Sequence, residues 1–107
     1  MRPTGHFDFE RLDAFRLAVE VARWVRGCRW PAKTTHLHDQ AMRAADSVVL
    51  NLAEGASSTG RQRAKHFDLA RGSAGEVFAA TLLVDLQGAE EARGKLRRLN
   101  QMLARLR

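Results

Sequence analysis

Proline is nearly absent from this chain. Its 107 residues hold only two, Pro3 and Pro31, so from Ala32 onward nothing imposes the sharpest break a helix can meet. Tyr is missing and β-branched residues are sparse, while Ala, Leu and Arg recur throughout, a composition that favours helix over strand. The length suits one domain with a single modest core. The apolar fraction of 45% lies in the ordinary globular range.

Apolar spacing divides the chain into four amphipathic segments, expected as helices over residues 9–28, 37–56, 61–86 and 89–107. In the first, Leu12, Phe15, Val19, Ala22 and Val25 fall at helical spacing. A second stripe, Leu17, Val21, Trp24 and Cys28, lies beside it, so this helix is covered on more than one side; part of that stripe is expected at a contact between subunits. Asp8 is placed to cap the helix, and Trp30-Pro31 ends it. The second segment carries Ala41, Ala44, Ala45, Val48 and Leu52, starts near Thr34 to His36, and is ended or loosened by Gly55. The third holds Phe67, Ala70, Ala74, Val77, Thr81 and Val84. Gly72 and Gly75 within it cost about 1 kcal/mol each relative to Ala and are expected to mark close backbone contact. The fourth places Ala92, Leu96, Leu99, Leu103 and Leu106 at a coiled-coil spacing. Short connections make the expected fold all-α, an antiparallel up-down-up-down four-helix bundle in one domain over 1–107.

A polar stripe crosses the most apolar helix. Arg43, Ser47, Asn51 and Glu54 follow at steps of four, four and three. The third segment repeats that rhythm in Lys65, Asp68, Gly72 and Glu76. In an antiparallel hairpin turning near Ser58-Thr59, facing residues have a roughly constant sum. Arg43 then faces Glu76, Ser47 faces Gly72 or Ser73, Asn51 faces Asp68, and Glu54 faces Lys65, with Arg61 or Arg71 as its alternatives. The expectation is a charged, hydrogen-bonded seam that sets register; loss of Glu76 from a buried pair would cost about 2–4 kcal/mol. Direct ligand or RNA contact by the stripe is the alternative.

The strings Arg43-Ala44-Ala45-Asp46-Ser47, Asn51-Leu52-Ala53-Glu54-Gly55, Ala70-Arg71-Gly72-Ser73 and Glu76, with FERLDAF near the start, resemble the small four-helix-bundle family associated with intervening sequences in 23S ribosomal RNA genes. The likeness runs from Phe7 to about Gly88. It implies a cytosolic bacterial bundle that assembles as a ring-like homo-oligomer, plausible as a pentamer. That family is similar to the accessory proteins of diversity-generating retroelements, basic bundles that bind a reverse transcriptase and nucleic acid. The final helix departs from the pattern in being short and strongly basic, with almost no loop before it.

Catalytic and cofactor chemistry finds no support. His36 and His38 are two apart and diverge on a helix; His6 and His66 stand alone. No H-E-x-x-H motif or cysteine pair occurs, Glu54 and Glu76 lack a histidine three residues on, and Cys28 reads as a small core residue. No cofactor, metal or small-molecule substrate is expected. A lone cysteine, no secretory apolar run and no membrane-length apolar segment make the cytoplasm the expected compartment.

The net charge is +6, and cations gather in three places: Arg23, Arg26, Arg29 and Lys33; Arg61, Arg63 and Lys65; then Arg93, Lys95, Arg97 and Arg98 in a last stretch without acids after Glu91. These are the candidate nucleic-acid contacts, of a salt-sensitive kind with little base selection. The expected function is a non-enzymatic oligomer that binds structured RNA or a nucleoprotein partner. A protein-interaction scaffold without nucleic-acid binding is the alternative.

Overall fold

The computed structural model describes residues 12–106. Four helices account for most of them: α1 (Asp13–Gly27), α2 (Thr35–Ala56), α3 (Gly60–Leu83) and α4 (Ala89–Leu106). Among the described residues there is no strand. Contacts join α1 to α2, α2 to α3, α3 to α4 and α4 back to α1, and none cross the diagonals. The numbering of neighbouring helices runs in opposite senses. Leu12 and Ala14 lie beside Met102 and Leu106, whereas Trp24 reaches Gln87. Arg71 meets Asn100, whereas Thr81 meets Arg93.

The expected stripes supply Ala41, Ala44, Ala45, Val48 and Leu52 of α2, Phe67, Ala70, Ala74 and Val77 of α3, and Leu96, Leu99 and Leu103 of α4 to the core; in α1 the first stripe supplies Ala22 and Val25, Ala14 and Ala18 of neither stripe join them, and Leu12, Phe15 and Val19 are only half-buried. Leu17 and Val21 are buried too. Trp24, half-buried, donates its indole N–H to the Gln87 carbonyl at 3.1 Å. Leu17 and Val21 of the second stripe are therefore inside the bundle and not free to meet another subunit, because α2 covers one side of that helix and α4 the other; Trp24 and Cys28 are half-buried.

The connections follow from local chemistry. After α1, the Val25 carbonyl accepts the Trp30 indole N–H at 3.1 Å and the His38 Nε2–H at 3.0 Å, and those two rings stack with centroids 4.7 Å apart. An otherwise orphaned carbonyl at the helix end is thus doubly satisfied. Thr34 precedes α2, but its hydroxyl donates to the Pro31 carbonyl at 2.6 Å and caps the turn, not the helix. Helix α3 ends at Leu83, short of the expected residue 86. Leaving the helix at Val84 lets Leu86 turn into the core and brings Gly88 under Trp24. Gly88 has φ +83°, and a Cβ there would lie 3.0 Å from the Trp24 indole nitrogen. The link before α4 is accordingly a formed corner over 84–88, longer than the sequence suggested. The expected first turn from residue 9 and the Asp8 cap lie outside the described residues, as does Arg107.

Gly55 does not end α2. It lies within the helix and is buried, and a Cβ there would stand 2.5 Å from Cε1 of Phe67, a fully buried side chain. The missing side chain is the seat for that ring. Gly72 and Gly75 behave oppositely: a Cβ at either would meet nothing within 4 Å. The close approach expected at those two positions is absent within the chain. Gly55→Ala should destabilise by about 1–3 kcal/mol through overpacking, read as a lower midpoint in denaturant melts; Gly75→Ala, at an open helical position, should stabilise by up to about 1 kcal/mol.

Candidate nucleic-acid interface

The seam between α2 and α3 is polar but neutral. Ser73 Oγ and Ser47 Oγ are 2.8 Å apart. Asn51 Nδ2 donates to the Ser47 carbonyl at 2.9 Å and lies 3.0 Å from its hydroxyl. The Asn51 amide is thereby oriented, so its Oδ1 accepts a hydrogen bond from the His66 Nδ1–H at 2.9 Å. All four side chains are half-buried. Of the pairings expected from the stripe, Ser47 with Ser73 is the one present.

The charged pairings are not. Arg43 and Glu76 are both exposed, and neither forms an ion pair with a described residue. Glu54 and Lys65 are likewise exposed and unpaired with each other. Asn51 bonds Ser47 and His66 in place of Asp68. Arg71 belongs elsewhere, with its Nε donating to Asn100 Oδ1 of α4 at 3.2 Å. The cause is helix rotation. With Phe67, Ala70, Ala74 and Val77 directed inward, the residues of α3 that meet the polar stripe of α2 are His66 and Ser73, seven apart. Lys65, Gly72 and Glu76 then point to solvent. His66 lies off the register of the expected charged pairs, two residues before Asp68 on α3, and pairs with Asn51 because α3 is rotated.

The cationic candidates fall into two groups. Arg26 forms a two-point ion pair with Asp46, with Nη2 to Oδ2 at 2.7 Å. Arg63 lies over the Phe67 ring, 4.9 Å from its centroid, and donates to the Gly55 carbonyl at 3.3 Å. Arg93 donates to the Thr81 carbonyl at 3.1 Å near the end of α3. Lys95 bridges Glu20 at 3.1 Å and Glu91 at 3.7 Å. Arg97 lies over Phe78, 5.2 Å from the ring centroid. These five hold the bundle together. Arg23, Arg29, Lys33, Arg61, Lys65 and Arg98 are exposed and engage no other described residue. Arg29 and Lys33 stand at the α1–α2 corner, with Lys33 at φ +68°; Arg61 and Lys65 stand at the far end of α2, about 33 Å away for a helix of 22 residues.

Two shallow apolar grooves flank the bundle. One, of about 310 Å³, runs between α3 and α4 past Gly75, Phe78 and Leu96. The other, about 330 Å³, runs between α1 and α2 past Val19, Val49 and Leu50. Among the described residues no three of His, Cys, Asp and Glu gather as a metal site requires. No helix of the described residues is long and apolar enough to cross a membrane. Burial raises the Cys28 thiol above its ordinary value, away from a reactive thiolate.

Fold and surface together define a small, basic helical bundle with a neutral interior seam. The chain belongs to the 23S rRNA-intervening sequence protein family, whose model matches residues 10–105. No curated protein matches the chain.

Two outcomes follow from the site. Asn51→Ala should cost about 1–2 kcal/mol, since it strands the His66 N–H and takes away the donor that the Ser47 oxygens accept from in a half-buried place, while Glu76→Ala should change stability by less than about 0.5 kcal/mol; denaturant melts of both variants decide it. The Arg26 hydrogen bond holds the Asp46 carboxyl below its ordinary value. A lowered carboxylate pKa contributes stability that is complete above the unfolded value, about pH 4, and is lost as pH falls through the folded one. Because the pair is largely exposed, the contribution is small and salt-screened. Asp46→Asn should flatten this part of the acid limb in unfolding free energies measured against pH, leaving neutral-pH stability slightly lower.

Proposed function

We propose that the protein is a non-enzymatic homo-oligomer of the cytoplasm that binds structured RNA, or a nucleoprotein containing it, through exposed cations that the bundle does not use in its own contacts. The observation that carries this reading is the set Arg23, Arg29, Lys33, Arg61 and Arg98, exposed and without an acid partner among the described residues. Family membership supports the connection with ribosomal RNA genes, and the family resemblance supports a ring, five-fold in its implied form. Repetition of each pole's cations around an axis would give a polyvalent surface. Phosphates are the natural ligand of such a surface. With no exposed aromatic platform for bases among the described residues, it favours duplex or folded RNA by shape.

A scaffold that binds protein alone is the second reading, favoured by the exposed Leu50, Leu82 and Leu83, at 64%, 65% and 70% accessible. Binding to mixed structured RNA, titrated with salt, separates the two. The proposed function predicts measurable affinity at about 50 mM salt that falls log-linearly as salt rises. Arg29→Ala with Lys33→Ala should lower the slope by about two, while Arg97→Ala should leave it unchanged. Negligible affinity at about 50 mM salt excludes the RNA reading and leaves the scaffold.

A further inference from the structure

Helix α3 has a second seam, and it faces away from the core. Lys65, Leu69, Gly72, Glu76, Ala79 and Leu83 follow at steps of four, three, four, three and four, the rhythm of a coiled-coil contact line. All six are exposed, Leu69 at 47% and Leu83 at 70%. Leu17, Val21, Ala22 and Val25 of α1 are buried in the bundle; the outer line of α3 is covered by nothing among the described residues. Gly72 sits in the middle of this line with open space where a Cβ would be. Nothing among the described residues requires glycine there.

We propose that this line is a two-fold contact with a second copy of the same chain, with the two α3 helices packed in opposite senses. The pattern of charge selects both the partner and the direction. Reversed, the stretch from Lys65 to Glu76 is its own complement: Lys65 meets Glu76 of the second copy, and Leu69 meets its Gly72. Both pairs share one residue-number sum, so one register satisfies them together, and two-fold symmetry makes each contact twice. The bare backbone at Gly72 is the hole that receives the leucine, and Lys65 and Glu76 lie at equal distance on either side of the two-fold axis. A parallel arrangement would oppose Lys65 to Lys65 and Glu76 to Glu76, and like charges in register reject it. Lys65 and Glu76 are available, since neither forms an ion pair with a described residue. The paired stretch is about 16 Å long, so the contact is modest in area and concentration-dependent. It is separate from the RNA-contacting cations at Arg29 and Lys33, and it removes Lys65 from that set.

The test is the mass of the full chain by sedimentation equilibrium across a concentration series, with helix content followed by circular dichroism. Wild type should show a doubling step, on a monomer or on whatever ring the chain forms. Lys65→Glu and Glu76→Lys, each alone, should weaken that step by at least about tenfold, as expected for like charges forced together. Mixing the two defective variants should restore it, because a chain with two acids then faces a chain with two lysines. Gly72→Leu, which fills the hole, should abolish it with helix content unchanged. A wild-type chain without a doubling step overturns the proposal. So does a doubling step that neither reversal weakens, or a mixture that fails to recover it. Salt-titrated RNA binding by the undoubled variants reads the proposed function independently, since Arg29 and Lys33 are intact in them.

Discussion

The seating of Phe67 on Gly55 is the contact on which the α2–α3 hairpin depends. A ring that lies where the Cβ of residue 55 would otherwise stand can be accommodated in one rotation of α3 only. Arg63 reinforces that rotation by stacking on the outer side of the same ring and donating to the Gly55 carbonyl. Once Phe67 is fixed, helical periodicity sends Ala70, Ala74 and Val77 to the core and His66 and Ser73 to the flank of α2. The remaining side of α3 is left to solvent. The neutral network of Ser47, Asn51, His66 and Ser73 is thus a consequence of the glycine seat, and it in turn satisfies half-buried polar groups that would otherwise be costly.

The helices and their order were legible in the sequence because apolar spacing and scarce proline are local signals. Ser47 and Ser73 were legible as a pair because the hairpin turn fixes which residues can face each other. The rotation of α3 was not. Opposite charges at matching intervals on two helices, Arg43 with Glu76 and Glu54 with Lys65, fit a buried seam and an exposed outer face equally well. What decides between them is where Phe67 goes, and that is a tertiary fact. The role of Gly55 was misread for the same reason: a glycine near a helix end fits a terminator until the ring that needs its space is known. Gly72 and Gly75 show the converse, with helix-weakening residues that answer to no contact inside the chain. The corner at Trp30 and His38 joins residues around a turn whose geometry no periodicity reports.

The candidate site was legible as a set of cations and illegible as a surface. Counting basic residues cannot tell an arginine stacked on Phe67 or Phe78 from one that reaches into solvent, nor a lysine held by Glu20 and Glu91 from one without acids nearby. The structure separates those roles. Arg26, Arg63, Arg93, Lys95 and Arg97 stabilise the bundle, while Arg23, Arg29, Lys33, Arg61 and Arg98 carry the charge that is presented outward. The same separation applies to apolar residues: Leu17, Val21, Ala22 and Val25 of α1 are internal, while Leu69 and Leu83 on the outer line of α3 are exposed.

The central claim is that the α2–α3 seam is neutral and oriented by Asn51. It is tested most directly by nitrogen-15 chemical shifts of the His66 ring, measured by NMR in the neutral imidazole. Because the Asn51 amide nitrogen faces the Ser47 carbonyl, its oxygen faces His66, and the ring proton must sit on Nδ1. The account predicts a protonated Nδ1 and an unprotonated Nε2. A ring protonated on Nε2, or one averaging between the two forms, would mean that Asn51 does not hold His66 and that the two helices meet on other faces.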